Sequence, residues 1–131
     1  MNTKLNQILA EISAGELLDK ITILEIKREK ITDSEKLKNI NKELSSLTKT
    51  SDEKIPDKKR IENLVSNLKK INLKLWDIEE NKRRAEKEKK FDETFIQLSR
   101  DVYKSNDERA KIKLKINDIL GSNIKEVKSH Y

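Results

Sequence analysis

Ile61, Leu64, Leu68, Ile71, Leu75, Ile78, Lys82 and Ala85 follow one another at steps of three and four residues. Further along, Phe95, Leu98, Val102, Ser105, Arg109, Ile112, Ile116 and Ile119 repeat the rhythm. Steps that alternate in this way keep side chains on one stripe of a helix, and a stripe sustained this long is a coiled-coil seam. Phe91-Asp92 marks a turn between the two runs. Asp92 suits the N-cap of the second helix and Gly121 its C-terminal stop. The spacing predicts helices over about 57–89 and 92–120. If the chain reverses near residue 91, Leu64 faces Ile119, Leu68 faces Ile116, Ile71 faces Ile112 and Ala85 faces Leu98. Only the layers from Leu75 to Lys82, against Val102 to Arg109, bring polar residues into the seam. The expectation is a long antiparallel hairpin, coiled-coil-like, with one polar interruption.

Two shorter helices precede it. Ser13-Ala14-Gly15-Glu16 fits a capping box, with Glu16 reaching back to Ser13, and predicts a helix over about 13–31. Thr32-Asp33-Ser34-Glu35 repeats the signal and starts a second helix, about 33–49, with a stripe of Leu37, Ile40, Leu44 and Leu47. Residues 50–56 read as the clearest loop, and Pro56-Asp57 suits a new helix start. The predicted architecture is a single all-α bundle over 1–131, with an N-terminal arm (1–12) and a C-terminal tail (122–131). The tail is as compatible with folding back on the bundle as with fraying.

Composition agrees with long helices: 41% of residues are charged, 34% hydrophobic, with two Gly and one Pro. So small an apolar fraction limits the core that one chain can build, and a homodimer is the expectation. Without cysteine there is no thiolate metal site and no Cys nucleophile. No apolar run approaches a membrane span, and the N-terminus is too weakly apolar for a secretory signal, so the expected location is cytoplasmic. The only histidine, His130, is next to the last residue. Glu-x-x-His di-iron pairs, zinc hydrolase motifs and Ser-His triads are therefore missing, and no Gly-rich phosphate loop exists. A Mg²⁺ site built from carboxylates alone stays open but has no diagnostic spacing; no metal and no cofactor is expected.

The helix over 13–31 carries charges where a buried helix should not. Leu17, Ile21, Leu24 and Ile31 share one face with Arg28, and Glu25 lies beside them. Ile23 and Ile26 flank Asp19 on the opposite face. A helix apolar on two sides is sandwiched between neighbours, and charges buried there need partners. Asp19, Glu25 and Arg28 are expected to meet Glu79, Asp107 and Arg109 in one polar layer, with Trp76 and Tyr103 beside it. The preferred reading is a sealed salt-bridge network that specifies packing in a non-enzymatic interaction protein. The alternative is a binding site or enzyme for an anionic or zwitterionic metabolite. Arg forks grip carboxylates or phosphates, and the carboxylates could serve as acid or base.

The net charge of +6 is concentrated in residues 82–90, which carry six basic and two acidic side chains. Lys82, Arg83, Arg84, Lys87, Lys89 and Lys90 offer a few phosphate contacts, hence weak and salt-sensitive binding. No aromatic residue is interleaved for base stacking. A solvated helix face explains the run, and nucleic acid is the third reading.

Several segments together carry a resemblance: SAGELLDKITILEIKREKI (13–31), NLKLWDIEE (72–80), FDETFIQLSRDVYKSNDERAKIKLKIN (91–117) and SNIKEVKSHY (122–131). They cover more than half the chain and resemble a family of small uncharacterised bacterial and phage proteins catalogued as a domain of unknown function. The resemblance implies no activity and no catalytic residue. Its pattern includes Glu16, Asp19, Lys20, Thr22, Trp76, Glu79, Tyr103, Asn106, Asp107 and Arg109, which overlaps the polar layer and adds Asn106 to it. Members look like frequent companions of cell-surface sugar-transfer functions. A fainter similarity is to the all-helical chorismate mutases, whose first helix also mixes Leu, Ile, Asp and Arg. That chemistry implies several cations around a dicarboxylate. Only Arg28, Arg100 and Arg109 are candidates, with acids close by, and the order of motifs differs.

Overall fold

The computed structural model describes residues 5–124 and 126–128. Among them the regular structure is wholly helical: α1 (Ala14–Lys30), α2 (Ser34–Lys54), α3 (Glu62–Glu88) and α4 (Glu93–Leu120), with a 3-10 turn at Lys59–Ile61. His130 lies outside the described residues. No helix is long and apolar enough to cross a membrane, and no group of three His, Cys, Asp or Glu among the described residues could hold a metal ion.

α3 and α4 form the expected hairpin. Asp92 caps α4 by accepting from the backbone N–H groups of Thr94 and Phe95 at 3.1 and 3.2 Å. Gly121 ends it in the left-handed region at φ 64°, which glycine enters without steric strain. α3 ends the same way without a glycine: Lys89 sits at φ 55°, and Lys90 N–H bonds back to the Ala85 carbonyl at 2.9 Å, a Schellman closure.

Two boundaries differ from the sequence reading. α2 does not stop near residue 49 but runs to Lys54, so most of the expected 50–56 loop is helix. The extra turn carries Ser51 and Ile55 into the interior, at 3% and 6% exposure. Pro56 then bars the residue before it from helical geometry. α3 starts at Glu62 rather than near Asp57, because the 3-10 turn first brings Ile61, fully buried, onto the core.

α1 packs against α2, α3 and α4, the sandwiched position its two apolar faces require. Leu17 and Leu18 join Ile55, Ile61, Leu68, Ile71 and Ile116 in the main core. Leu24 joins Ile40 and Leu44 against α2. Leu68 and Ile116, predicted to face each other, are both fully buried there. At about 1.5 Å per residue α3 and α4 are each some 40 Å long and α1 about 25 Å. α1 is thus the element that brings its polar residues against both arms of the hairpin.

The arm described at 5–12 is not helical. Leu5, Ile8 and Leu9 are 78–84% exposed.

Candidate functional site

The start of α1 is held by the end of α4. Ser13 accepts from Glu16 N–H at 3.1 Å as N-cap. Gly15 N–H donates to Asn117 Oδ1 at 2.7 Å and Ala14 N–H to Ser122 Oγ at 3.3 Å. Three backbone donors that a helix start leaves open are thereby satisfied, two of them by tertiary contacts. A Cβ on Gly15 would stand 2.6 Å from the Lys113 carbonyl oxygen, so the close approach of α1 to α4 requires glycine. Glu16 does not complete a capping box. Its carboxylate accepts from Lys113 Nζ at 2.6 Å and lies 3.7 Å from Lys20.

One turn further on, Asp19 is fully buried. Its Oδ1 accepts from Arg109 Nε and from Asn72 Nδ2, both at 2.9 Å, and its Oδ2 accepts from Arg109 Nη2. Two parallel bonds from one guanidinium are the strongest geometry a carboxylate can receive. Asn72 also donates to Thr22 Oγ1 at 2.9 Å, and Thr22 donates to the Asp19 carbonyl at 2.8 Å. Hydrogen bonding to Asp19 holds the Arg109 pKa above its ordinary value, against the opposing effect of burial.

Lys113 extends the layer. Its ammonium meets Glu16, Glu126 at 2.8 Å, and Asp19 at 3.8 Å. Burial pushes its pKa down, but the hydrogen bonds to Glu126 and Glu16, together with the charges of Asp19 and Glu16, outweigh burial and leave it raised. The bond from Lys113 holds the Glu126 carboxyl below its ordinary range.

Of the residues expected in the layer, Asp19 and Arg109 meet as a pair. Asn106 joins them more loosely, accepting from Arg109 Nη1 at 3.4 Å. Arg28 does not belong: it is exposed and lines a groove with α2 residues such as Asn41 and Thr48. Glu25 is half-buried, and no hydrogen bond or ion pair joins it to Asp19 or Arg109. Asp107 is exposed and pairs with Lys128 at 3.1 Å. Tyr103 is 56% exposed beside Phe95 and Arg100. α1 turns Asp19, Ile23 and Ile26 to α3 and α4 and Arg28 to α2. Asn72, Lys113 and Glu126 take the places of the missing members, and sequence spacing did not single them out.

Trp76 and Glu79 line a cleft of about 460 Å³ between α1 and α3, with Ile23, Ile26, Leu75 and Arg109. Glu80 and Arg83 complete its wall. The layer is therefore sealed at Asp19 and open at Arg109, whose side chain keeps 27% exposure. Arg83 of the basic run turns to this cleft. Arg84 and Lys87 are exposed on α3, Lys82 is partly buried, Lys89 forms the helix stop, and Lys90 lies 3.6 Å from Glu88.

A model described as a family of unknown function (DUF6165) matches residues 8–131. No curated protein and no solved structure matches the chain.

Proposed function

We propose, for a chain that belongs to the DUF6165 family of unknown function, that it binds a small zwitterionic molecule with an apolar body in the cleft between α1 and α3. The observation that carries this reading is the opening of the polar layer onto that cleft, with Arg109 and Glu79 both on its wall. A volume of about 460 Å³ lies within the range of small-molecule sites, which are apolar clefts with a few convergent polar groups. Ile23, Ile26, Leu75 and the Trp76 ring supply the apolar surface. The Asp19 carboxylate already neutralises Arg109, so Arg83 is the cation left for an anionic group. Glu79 and Glu80 stand opposite in charge. A simple anion is poorly matched to such a wall, and a molecule bearing both charges is well matched.

Trp76 is the only tryptophan, so its fluorescence reports this cleft alone. Titration with amino acids bearing apolar side chains, in parallel with thermal denaturation, is the test. Saturable fluorescence change with a rise in Tm, lost on Glu79→Ala or Arg83→Ala, supports the reading. A panel without effect on either signal removes it.

The arm favours a second reading, a helical interaction protein. Leu5, Ile8, Leu9 and Ile12 recur at helical spacing yet stay 43–84% exposed. A short amphipathic helix is marginal until a partner covers its apolar face. Sedimentation of the full chain and of a chain lacking residues 1–11 tests it: a monomer in both cases at micromolar concentration counts against self-association.

A further inference from the structure

Arg109 also borders a second cleft, of about 310 Å³, which shares no other lining residue with the first. Glu16, Asn106, Lys113, Glu126 and Lys128 line it. We propose that this cleft is an oxyanion site for a small carboxylate or phosphate, which the chain fills with its own Glu126, so that the segment carrying Glu126 acts as a removable strap.

The charges require an anion here. Lys113 is 9% exposed at its side chain, and a buried ammonium needs compensation. Asp19 is committed to Arg109, and Glu16 is shared between Lys113 and Lys20. Without Glu126, three cations (Lys20, Arg109, Lys113) stand against two carboxylates (Glu16, Asp19). Glu126 restores the balance at 2.8 Å.

The group that restores it is the least embedded member of the cluster. The Glu126 side chain is 58% exposed, on a non-helical segment. Val127 is 86% exposed and Ile124 39%, so the apolar hold on the segment rests on Ile124 alone. Ser122 fastens its start, through Ala14 N–H. Beyond that the described tail carries two ion pairs to α4, Glu126 with Lys113 and Lys128 with Asp107. The Lys128–Asp107 pair is solvent-exposed and the Lys113–Glu126 pair exposed on its Glu126 side, so salt screens the hold on the tail. Lys113, by contrast, is fixed on α4 and stays in place when the tail leaves. An external carboxylate or phosphate oxygen can take the position of the Glu126 oxygen, with Lys128 at the rim as a further cation.

Removing the internal competitor tests this. Sodium acetate and inorganic phosphate are titrated into the Glu126→Ala and wild-type chains at ionic strength held constant with NaCl. Binding is followed through the amide signals of Gly15 and Asn117, which border Lys113. Saturable shifts in Glu126→Ala, with at least tenfold weaker apparent affinity in wild type and loss in the Glu126→Ala, Lys113→Met double variant, are expected. In the wild-type chain, at equal ionic strength, either anion should also speed proteolysis beyond Gly121 more than NaCl does. A synthetic peptide of residues 120–131 separates the sources. If it binds the Glu126→Ala chain while acetate and phosphate do not, the cleft serves only the tail and the proposal fails. Identical, non-saturable responses of both chains to all three salts overturn it as well.

Discussion

Arg109 of α4 grips Asp19 of α1 with two parallel hydrogen bonds, and the pair is lopsided: the carboxylate side chain is 1% exposed and the guanidinium 27%. Loss of the arginine leaves a sealed anion with, among the described residues, only the Asn72 amide in hydrogen-bond contact and the Lys113 ammonium 3.8 Å away. Loss of the carboxylate leaves a cation that water can reach. Breaking a buried pair from one side costs roughly 3–5 kcal/mol. Arg109→Ala should reach that range in urea unfolding, and Asp19→Asn should cost clearly less. Arg109→Lys should lie near Arg109→Ala, because one ammonium cannot reproduce the fork. Equal costs for Asp19→Asn and Arg109→Ala would show that the asymmetric burial carries no energetic weight.

Gly15 is where α1 comes closest to α4. An added Cβ would stand 2.6 Å from the Lys113 carbonyl and 3.0 Å from Asn117 Oδ1. The first contact is backbone and cannot swing aside, so the helices must part. Gly15→Ala, ordinarily favourable within a helix, should here destabilise by roughly 1–3 kcal/mol, the usual penalty of overpacking. It should also weaken the Gly15–Asn117 hydrogen bond, read as faster amide exchange at Gly15.

Lys89 closes α3 at φ 55°, a conformation costing an L-residue about 1–2 kcal/mol. Glycine avoids that cost but loses more conformational freedom on folding. Lys89→Gly should therefore stabilise the chain by a net of about 0.5–1 kcal/mol. A neutral or lowered Tm would place the turn's stability elsewhere, for example in the edge-to-face contact of Phe91 with Phe95, with centroids 5.3 Å apart.

The hairpin was legible because a seam repeats its signal over many turns. Leu68 and Ile116 could be paired from spacing alone, and both are fully buried. Asp19 was legible for a related reason, as a short acidic residue between Ile23 and Ile26 on an apolar face. Lys113 was not, because a lysine in a chain with 30 basic residues carries no sign of burial. Its neighbours Glu16 and Glu126 lie 97 and 13 residues away in sequence. Arg28 was misplaced because helical periodicity gives the direction of a side chain without saying where the covering helix ends. The 50–56 stretch was misread because Ser, Thr and Asp favour loops locally, whereas Ile55 gains its place through the tertiary core.

The tail contact should respond to pH on both sides. The Glu126 pKa is lowered from its ordinary 4.5, so the docked tail favours the carboxylate. That contribution is complete above pH 4.5 and is lost as pH falls through the lowered value. The Lys113 pKa is raised from 10.5. Its contribution is complete below pH 10.5 and is lost as pH rises through the raised value. Docking should be flat across neutral pH and fail first in acid, where protonated Glu126 no longer balances Lys113. Amide exchange in residues 122–128, compared with the α4 core at Ile116, reads this directly: the tail should open below pH 4.5 while Ile116 stays protected. In Glu126→Gln the tail should be loose at neutral pH and show no acid step. Raising NaCl should loosen the wild-type tail without shifting the exchange of Ile116, since the strap is held by a part-exposed pair and the core by apolar burial. A wild-type tail whose exchange is unchanged down to pH 3 would mean that Ser122 and Lys128 hold it without help from Glu126.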